Sequence, residues 1–138
     1  MRDFTKIIAW QKADDLTVAV YAETKGFPKD EVYALTSQLR RAVYSVPANI
    51  VEGSARETQP DYLHFLHIAR ASLSETQYFI HLATRLSYLA RERHDALMSQ
   101  AEEVARTLAG LIKAVSSEAC PERSRRVQSL TSKVSPYV

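Results

Sequence analysis

Glycine and proline are scarce in this chain, occurring three and five times in 138 residues. A turn-rich β architecture needs them at frequent corners, so their scarcity favours a few long helices. Cysteine occurs once, at Cys120, which excludes an internal disulfide and makes a reducing compartment the simple expectation. No uncharged apolar run reaches the roughly 18 residues that a membrane span needs. The opening Met1-Arg2-Asp3-Phe4-Thr5-Lys6 lacks the apolar core of a signal peptide. A cytoplasmic protein with no membrane partner is expected. An excess of one charge is missing too. The net charge is +2, yet over residues 1–117 basic and acidic side chains are equal in number, and the surplus lies in residues 118–138. Global charge therefore lends little to a nucleic-acid reading, and any basic face has to be local.

What the chain does have is apolar periodicity at helical spacing. Hydrophobic residues make up 46% of the chain, enough for one core without staples. Trp10, Ala13, Leu16, Thr17, Val20, Tyr21 and Thr24 recur at three- and four-residue steps and predict a helix over residues 8–25. Gly26 is expected to cap it in a left-handed conformation, with Pro28 barring continuation. A second helix is expected from about Asp30, with Val32, Leu35, Leu39, Ala42, Val43 and Val46 inward. Pro47 removes a backbone donor and crowds the preceding turn, which predicts a kink, with a complete break as the alternative. The element then runs on to Gly53-Ser54. Thr58-Gln59-Pro60-Asp61 has the chemistry of a helix entrance. From it a third helix is expected to reach about Ala90 along Tyr62, Phe65, Leu66, Ala69, Leu73, Thr76, Ile80, Ala83, Ser87 and Ala90. Arg91 and Arg93 would close it. A fourth helix follows over residues 94–115, with Leu97, Met98, Ala101, Val104, Ala105, Leu108, Leu111, Ile112 and Val115 inward.

Short connections force neighbouring helices to run antiparallel. The predicted fold is all-α: an antiparallel up-down-up-down four-helix bundle with a kinked second helix. It occupies residues 1–117, followed by a flexible, basic, Ser-rich tail over residues 118–138.

Enzyme chemistry finds no pattern here. A carboxylate-bridged di-metal bundle needs repeated Glu-x-x-His pairs, and no glutamate has a histidine three residues later. Asp61-x-x-His64 occurs once, at a helix start. His64 and His67 lie one turn apart, but two imidazoles make only part of a site. Cys120 has no neighbouring histidine, and there is no nucleophile elbow or Gly-rich phosphate loop. His81 and His94 are expected to be ordinary surface or core histidines. The expectation is a non-enzymatic protein with no metal and no cofactor.

Two stretches carry a resemblance. Residues 36–56 read Thr-Ser-Gln-Leu-Arg-Arg-Ala-Val-Tyr-Ser-Val-Pro-Ala-Asn-Ile-Val-Glu-Gly-Ser-Ala-Arg, and residues 62–75 read Tyr-Leu-His-Phe-Leu-His-Ile-Ala-Arg-Ala-Ser-Leu-Ser-Glu. With Trp10-Gln11-Lys12-Ala13 and Gly26-Phe27-Pro28, the chain over about residues 4–115 resembles the four-helix-bundle family named for intervening sequences of bacterial 23S ribosomal RNA genes. More distantly it is similar to the accessory protein of diversity-generating retroelements, a basic pentamer that binds nucleic acid and a reverse transcriptase. The resemblance implies a homo-oligomer, with a pentamer expected, and no enzymatic activity. Ala34 and Ala71 depart from it, standing where such proteins often have glycine.

Arg40 and Arg41 precede the proline, Arg56 follows Gly53, and Arg70 and Arg85 lie along the third helix. These five are the candidate contacts to a nucleic-acid backbone. Their other reading is as solvated arginines paired with Glu52, Glu57, Glu75 or Glu92. Arg40 or Arg41 is also placed to bond carbonyls freed by Pro47. Pro47, Asn49, Glu52 and Gly53 form the candidate structural or interface motif, with Asn49 facing the orphaned carbonyl or setting register and Glu52 pairing with Arg41 or Arg56, or with the same groups in a neighbouring subunit. The aromatic residues Trp10, Tyr21, Tyr44, Tyr62, Phe65 and Tyr78 read mainly as core or interface. The function expected is an oligomeric adaptor that binds RNA, DNA or a nucleic-acid-handling protein. The alternative is a structural or protein-interaction module that binds no nucleic acid.

Overall fold

The computed structural model describes residues 2–119. The tail expected from residue 118 therefore falls, from Cys120 onward, outside the described residues. Four helices build the fold: α1 (Ile8–Thr24), α2 (Leu35–Ser54), α3 (Gln59–Arg85) and α4 (Arg91–Ala119). Short 3-10 turns at Phe4–Lys6 and Lys29–Glu31 precede α1 and α2. There is no strand among the described residues. Among the described residues each of α1 and α3 packs on both α2 and α4, with no close backbone approach between the diagonal pairs, so the helices form a closed ring of four. This is the all-α four-helix bundle that the apolar stripes predict.

The core is the sum of those stripes. Leu16 and Val20 of α1, Leu39, Val43, Val46 and Ile50 of α2, Leu66 and Ile80 of α3, and Val104 and Leu108 of α4 are all essentially closed to solvent. Burying one such side chain contributes roughly 1.5–3 kcal/mol, so the ring of stripes explains why no staple is required. Thr58 caps α3 as its position suggests, its hydroxyl accepting from Asp61 N at 3.3 Å.

Element ends differ from expectation for local reasons. α2 begins at Leu35, not Asp30, because residues 29–31 take a 3-10 turn and Ala34 is non-helical at φ −121°, ψ −107°. Glu31 supplies the cap, its Oε2 accepting from Leu35 N at 3.0 Å. Val32, expected inward, is consequently exposed. No described glycine has positive φ, so Gly26 does not form the left-handed cap expected of it. The chain turns instead through tight bonds, Gly26 N to Glu23 O at 3.3 Å and Phe27 N to Thr24 O at 3.1 Å, which plant Phe27 in the core. α3 stops at Arg85, five residues short of Ala90, where Ser87 turns left-handed at φ 62°. Arg91 and Arg93 accordingly open α4 rather than closing α3. α2 runs unbroken through Pro47, so the complete break does not occur.

Candidate nucleic-acid interface

The end of α1 and the first half of α2 bound a hollow of about 690 Å³, closed at one end by the connection that carries Lys29 and Tyr33. Helical spacing builds it. Ser37, Arg40, Arg41 and Tyr44 stand at i, i+3, i+4 and i+7 on α2, and Tyr21, Thr24 and Lys25 at i, i+3 and i+4 on α1, so each set forms one stripe beside the core seam. Lys25, Lys29, Arg40 and Arg41 bring four cations to its wall, and no Asp or Glu lines it. None of the four has an ion-pair partner among the described residues. Two of the neighbouring acids are engaged elsewhere. Glu23 pairs with Arg93, and Glu31 accepts from Leu35 N and the Tyr88 hydroxyl. Burial, then that hydrogen bond to Glu31, pushes the Tyr88 phenol up from its ordinary value. Asp30, exposed in the same connection, does not line the hollow.

Three tyrosines share this wall. Tyr33 is 96% exposed, Tyr44 47% and Tyr21 37%, so of the two places expected for Tyr21 and Tyr44, core or interface, the core is not theirs. Tyr78 is exposed likewise, on α3, whereas Trp10 and Phe65 are half-buried and Tyr62 is fully buried. Arg40 is held in place: its Nε donates to Thr24 Oγ1 at 2.8 Å, and its guanidinium lies 4.6 Å from the centre of the Tyr21 ring. The tyrosines and lysines of this hollow are missing from the five-arginine expectation. The available signal was the Ser37–Arg40–Arg41–Tyr44 spacing, which places an aromatic ring one turn after a pair of cations.

The five arginines do not share one surface. Arg40 and Arg41 meet at the hollow. Arg56 lies beyond the far end of α2, with Nη2 2.6 Å from Glu52 Oε1 and its guanidinium over the Phe65 ring. Of the pairings foreseen for Glu52, the one with Arg56 forms. Arg2 reaches the same corner, donating to Arg56 O at 3.2 Å and Ser54 O at 3.4 Å while covering the Tyr62 ring. Burial raises the Tyr62 phenol above its usual value, and the Arg2 charge opposes the shift. Arg70 sits beside His67 at 3.0 Å, and Arg85 occupies the last turn of α3.

The motif around Pro47 proves to tie helices together. Neither Arg40 nor Arg41 nor Asn49 serves the carbonyl freed by Pro47, which is that of Val43. Thr17 of α1 reaches it at 3.3 Å. Asn49 Nδ2 donates instead to Ser45 O at 2.7 Å and Ser45 Oγ at 2.9 Å, and Ser45 Oγ meets Ser72 Oγ of α3 at 2.9 Å. Gly53 lies against α3, where a Cβ would stand 2.9 Å from both Phe65 Cβ and Tyr62 Cδ2. Among the described residues no three His, Cys, Asp or Glu side chains converge as metal ligands. No helix there is long and apolar enough to cross a membrane.

Residues 5–110 match the model of a family described as 23S rRNA-intervening sequence protein. Among solved structures, the chain is similar to a protein of unknown function from the S23 ribosomal protein family of Bacteroides thetaiotaomicron. The two share 24% identity and a TM-score of 0.71, covering 77% of this chain and 99% of that one. That likeness shows the bundle fold. No curated protein matches the chain.

Proposed function

The chain belongs to the 23S rRNA-intervening sequence protein family, and from that premise we propose that it is a non-enzymatic, homo-oligomeric, cytoplasmic binding protein that associates with nucleic acid through the hollow between α1 and α2. One observation carries this reading: four cations without carboxylate partners face a hollow that no acid lines, although basic and acidic residues are equal in number over residues 1–117 as a whole. Concentrating cations locally is what a phosphate backbone requires, since each neutralised phosphate releases counterions and adds salt-sensitive affinity. Arg40 supports the reading further, because its bond to Thr24 fixes its direction before any ligand arrives.

The test is a salt titration of binding to labelled RNA and DNA oligomers. Affinity should fall steeply with salt. Lys25→Gln, Lys29→Gln and Arg41→Gln should each weaken binding and flatten the salt slope by about one phosphate contact. A chain ending at Ala119 should retain binding. Absence of binding at low salt rejects the proposal. A protein-interaction module is the second reading, favoured by the equal numbers of acidic and basic residues over residues 1–117. A partner recovered from the native host after nuclease treatment, together with no oligonucleotide binding, would establish it.

A further inference from the structure

We propose that the hollow takes unpaired nucleotides, with a base stacked on Tyr33 or Tyr44 and the adjoining phosphates held by Arg41, Lys25 and Lys29. The inference rests on the nucleic-acid reading of the same hollow and narrows it from any phosphate backbone to single strands.

Among the described residues eight large apolar or aromatic side chains are conspicuously exposed, and four of them, Tyr21, Val32, Tyr33 and Tyr44, border this one hollow. A duplex hides its base faces inside its own stack and presents phosphate outside, so a surface shaped for duplex needs cations and has no use for aromatic faces. Single strands offer both a charged backbone and free base faces, and a groove that binds them combines cations with stacking platforms. The tyrosines divide their work. The Arg40 guanidinium already covers Tyr21, whereas Tyr33 stands almost wholly in solvent and Tyr44 is half open. Those two rings are the free platforms. Thr36, 5% exposed, lies at the floor. The size also fits: about 690 Å³ lies within the roughly 300–1,000 Å³ of clefts that hold small organic ligands. That is room for a nucleotide.

The full chain is titrated by fluorescence anisotropy with labelled single-stranded RNA, single-stranded DNA and a duplex of equal length, at low and moderate salt. Single strands should bind at least about tenfold more tightly than duplex. Tyr33→Ala and Tyr44→Ala should each cost single-strand affinity about tenfold and leave duplex affinity unchanged, while Tyr33→Phe keeps wild-type binding. Both tyrosines are exposed, so melting curves of the variants should overlay that of the parent. The RNA and DNA arms show which sugar is accepted, and either supports the proposal. Equal binding of single strand and duplex, indifferent to both tyrosines, overturns the single-strand inference and leaves the broader nucleic-acid reading standing. No binding to any of the three overturns both. A change of solution mass in Tyr33→Ala, with oligonucleotide affinity intact, would make the hollow a contact between copies and also overturn the inference.

Discussion

Thr17 of α1 and Val43 of α2 are joined by a hydrogen bond that Pro47 makes necessary. Proline has no N–H, so the Val43 carbonyl one turn earlier loses its helical donor. Thr17 Oγ1 lies 3.3 Å from that oxygen and 2.8 Å from Ala13 O, sharing one proton between its own helix and its neighbour. An interhelical contact thereby replaces an intrahelical one, and α2 continues without a break. Thr17→Val keeps the shape and removes the donor, so it should destabilise the bundle by about 1 kcal/mol in denaturant unfolding. In a Pro47→Ala background residue 47 regains its donor, and the same substitution should cost clearly less. Equal costs in the two backgrounds would show that Thr17 and Pro47 are uncoupled.

Gly53 sets the approach of α2 to α3. A Cβ there would meet Phe65 Cβ and Tyr62 Cδ2 at 2.9 Å and the Tyr62 carbonyl oxygen at 3.2 Å. Alanine would gain up to about 1 kcal/mol of helix propensity, but two of the three obstacles are backbone or adjoin it and cannot swing aside. Overpacking of this kind costs about 1–3 kcal/mol, so Gly53→Ala should destabilise on balance, read as a lower denaturant midpoint with an unchanged slope.

The core was legible in the sequence because it depends on periodicity alone. Leu16, Leu39, Leu66 and Leu108 stand on their apolar stripes and are buried as those stripes require. The candidate site was legible only in its arginine pair. Tyr21 and Tyr44 are aromatic residues near a helical seam, and whether such a ring turns inward depends on how neighbouring helices meet, which spacing within one helix does not state. Lys29 and Tyr33 were lost with the start of α2. Their placement follows from Glu31 bonding Leu35 N and the Tyr88 hydroxyl, the second a contact between residues 57 apart in the chain. The arginines divided for a similar reason. Arg56 is anchored by Glu52 one turn away and by a ring on α3, while Arg40 is anchored by Thr24 across a loop.

The end of α3 shows the same blindness to special backbone. Tyr88 N bonds Ala83 O at 2.9 Å and Ser87 N bonds Thr84 O at 3.0 Å, a Schellman closure with Ser87 at φ 62° in the position glycine usually holds. A non-glycine residue there costs about 1–2 kcal/mol, offset in part by the greater entropy of glycine in the unfolded chain. Ser87→Gly should therefore stabilise by about 0.5–1 kcal/mol, measured by thermal and denaturant unfolding. No gain would mean that the turn is not strained.

Gly110 presents the opposite case to Gly53. It lies inside α4, exposed, and a Cβ there would meet nothing within 4 Å. Gly110→Ala should raise stability by up to about 1 kcal/mol through helix propensity. If Gly110 lies against another copy in an assembled form, the same substitution would lower the solution mass measured by light scattering.

Glu103 gives the bundle an acid-sensitive link between α4 and α1. It pairs with Arg106 on its own helix and lies 3.3 Å from Lys12 Nζ on α1. The Arg106 hydrogen bond first, then that of Lys12, holds its carboxyl below the usual value. A carboxylate whose folded pKa lies below its unfolded pKa stabilises the fold at pH above the unfolded value, and that contribution disappears as pH falls through the folded one. Glu103→Gln should therefore lower the melting temperature slightly at neutral pH. The difference from the parent should shrink through the carboxylate range and vanish below it. Because the group is open to solvent, added salt should shrink the neutral-pH difference as well. A difference that persisted at acid pH would assign the effect to lost packing of the side chain rather than to its charge.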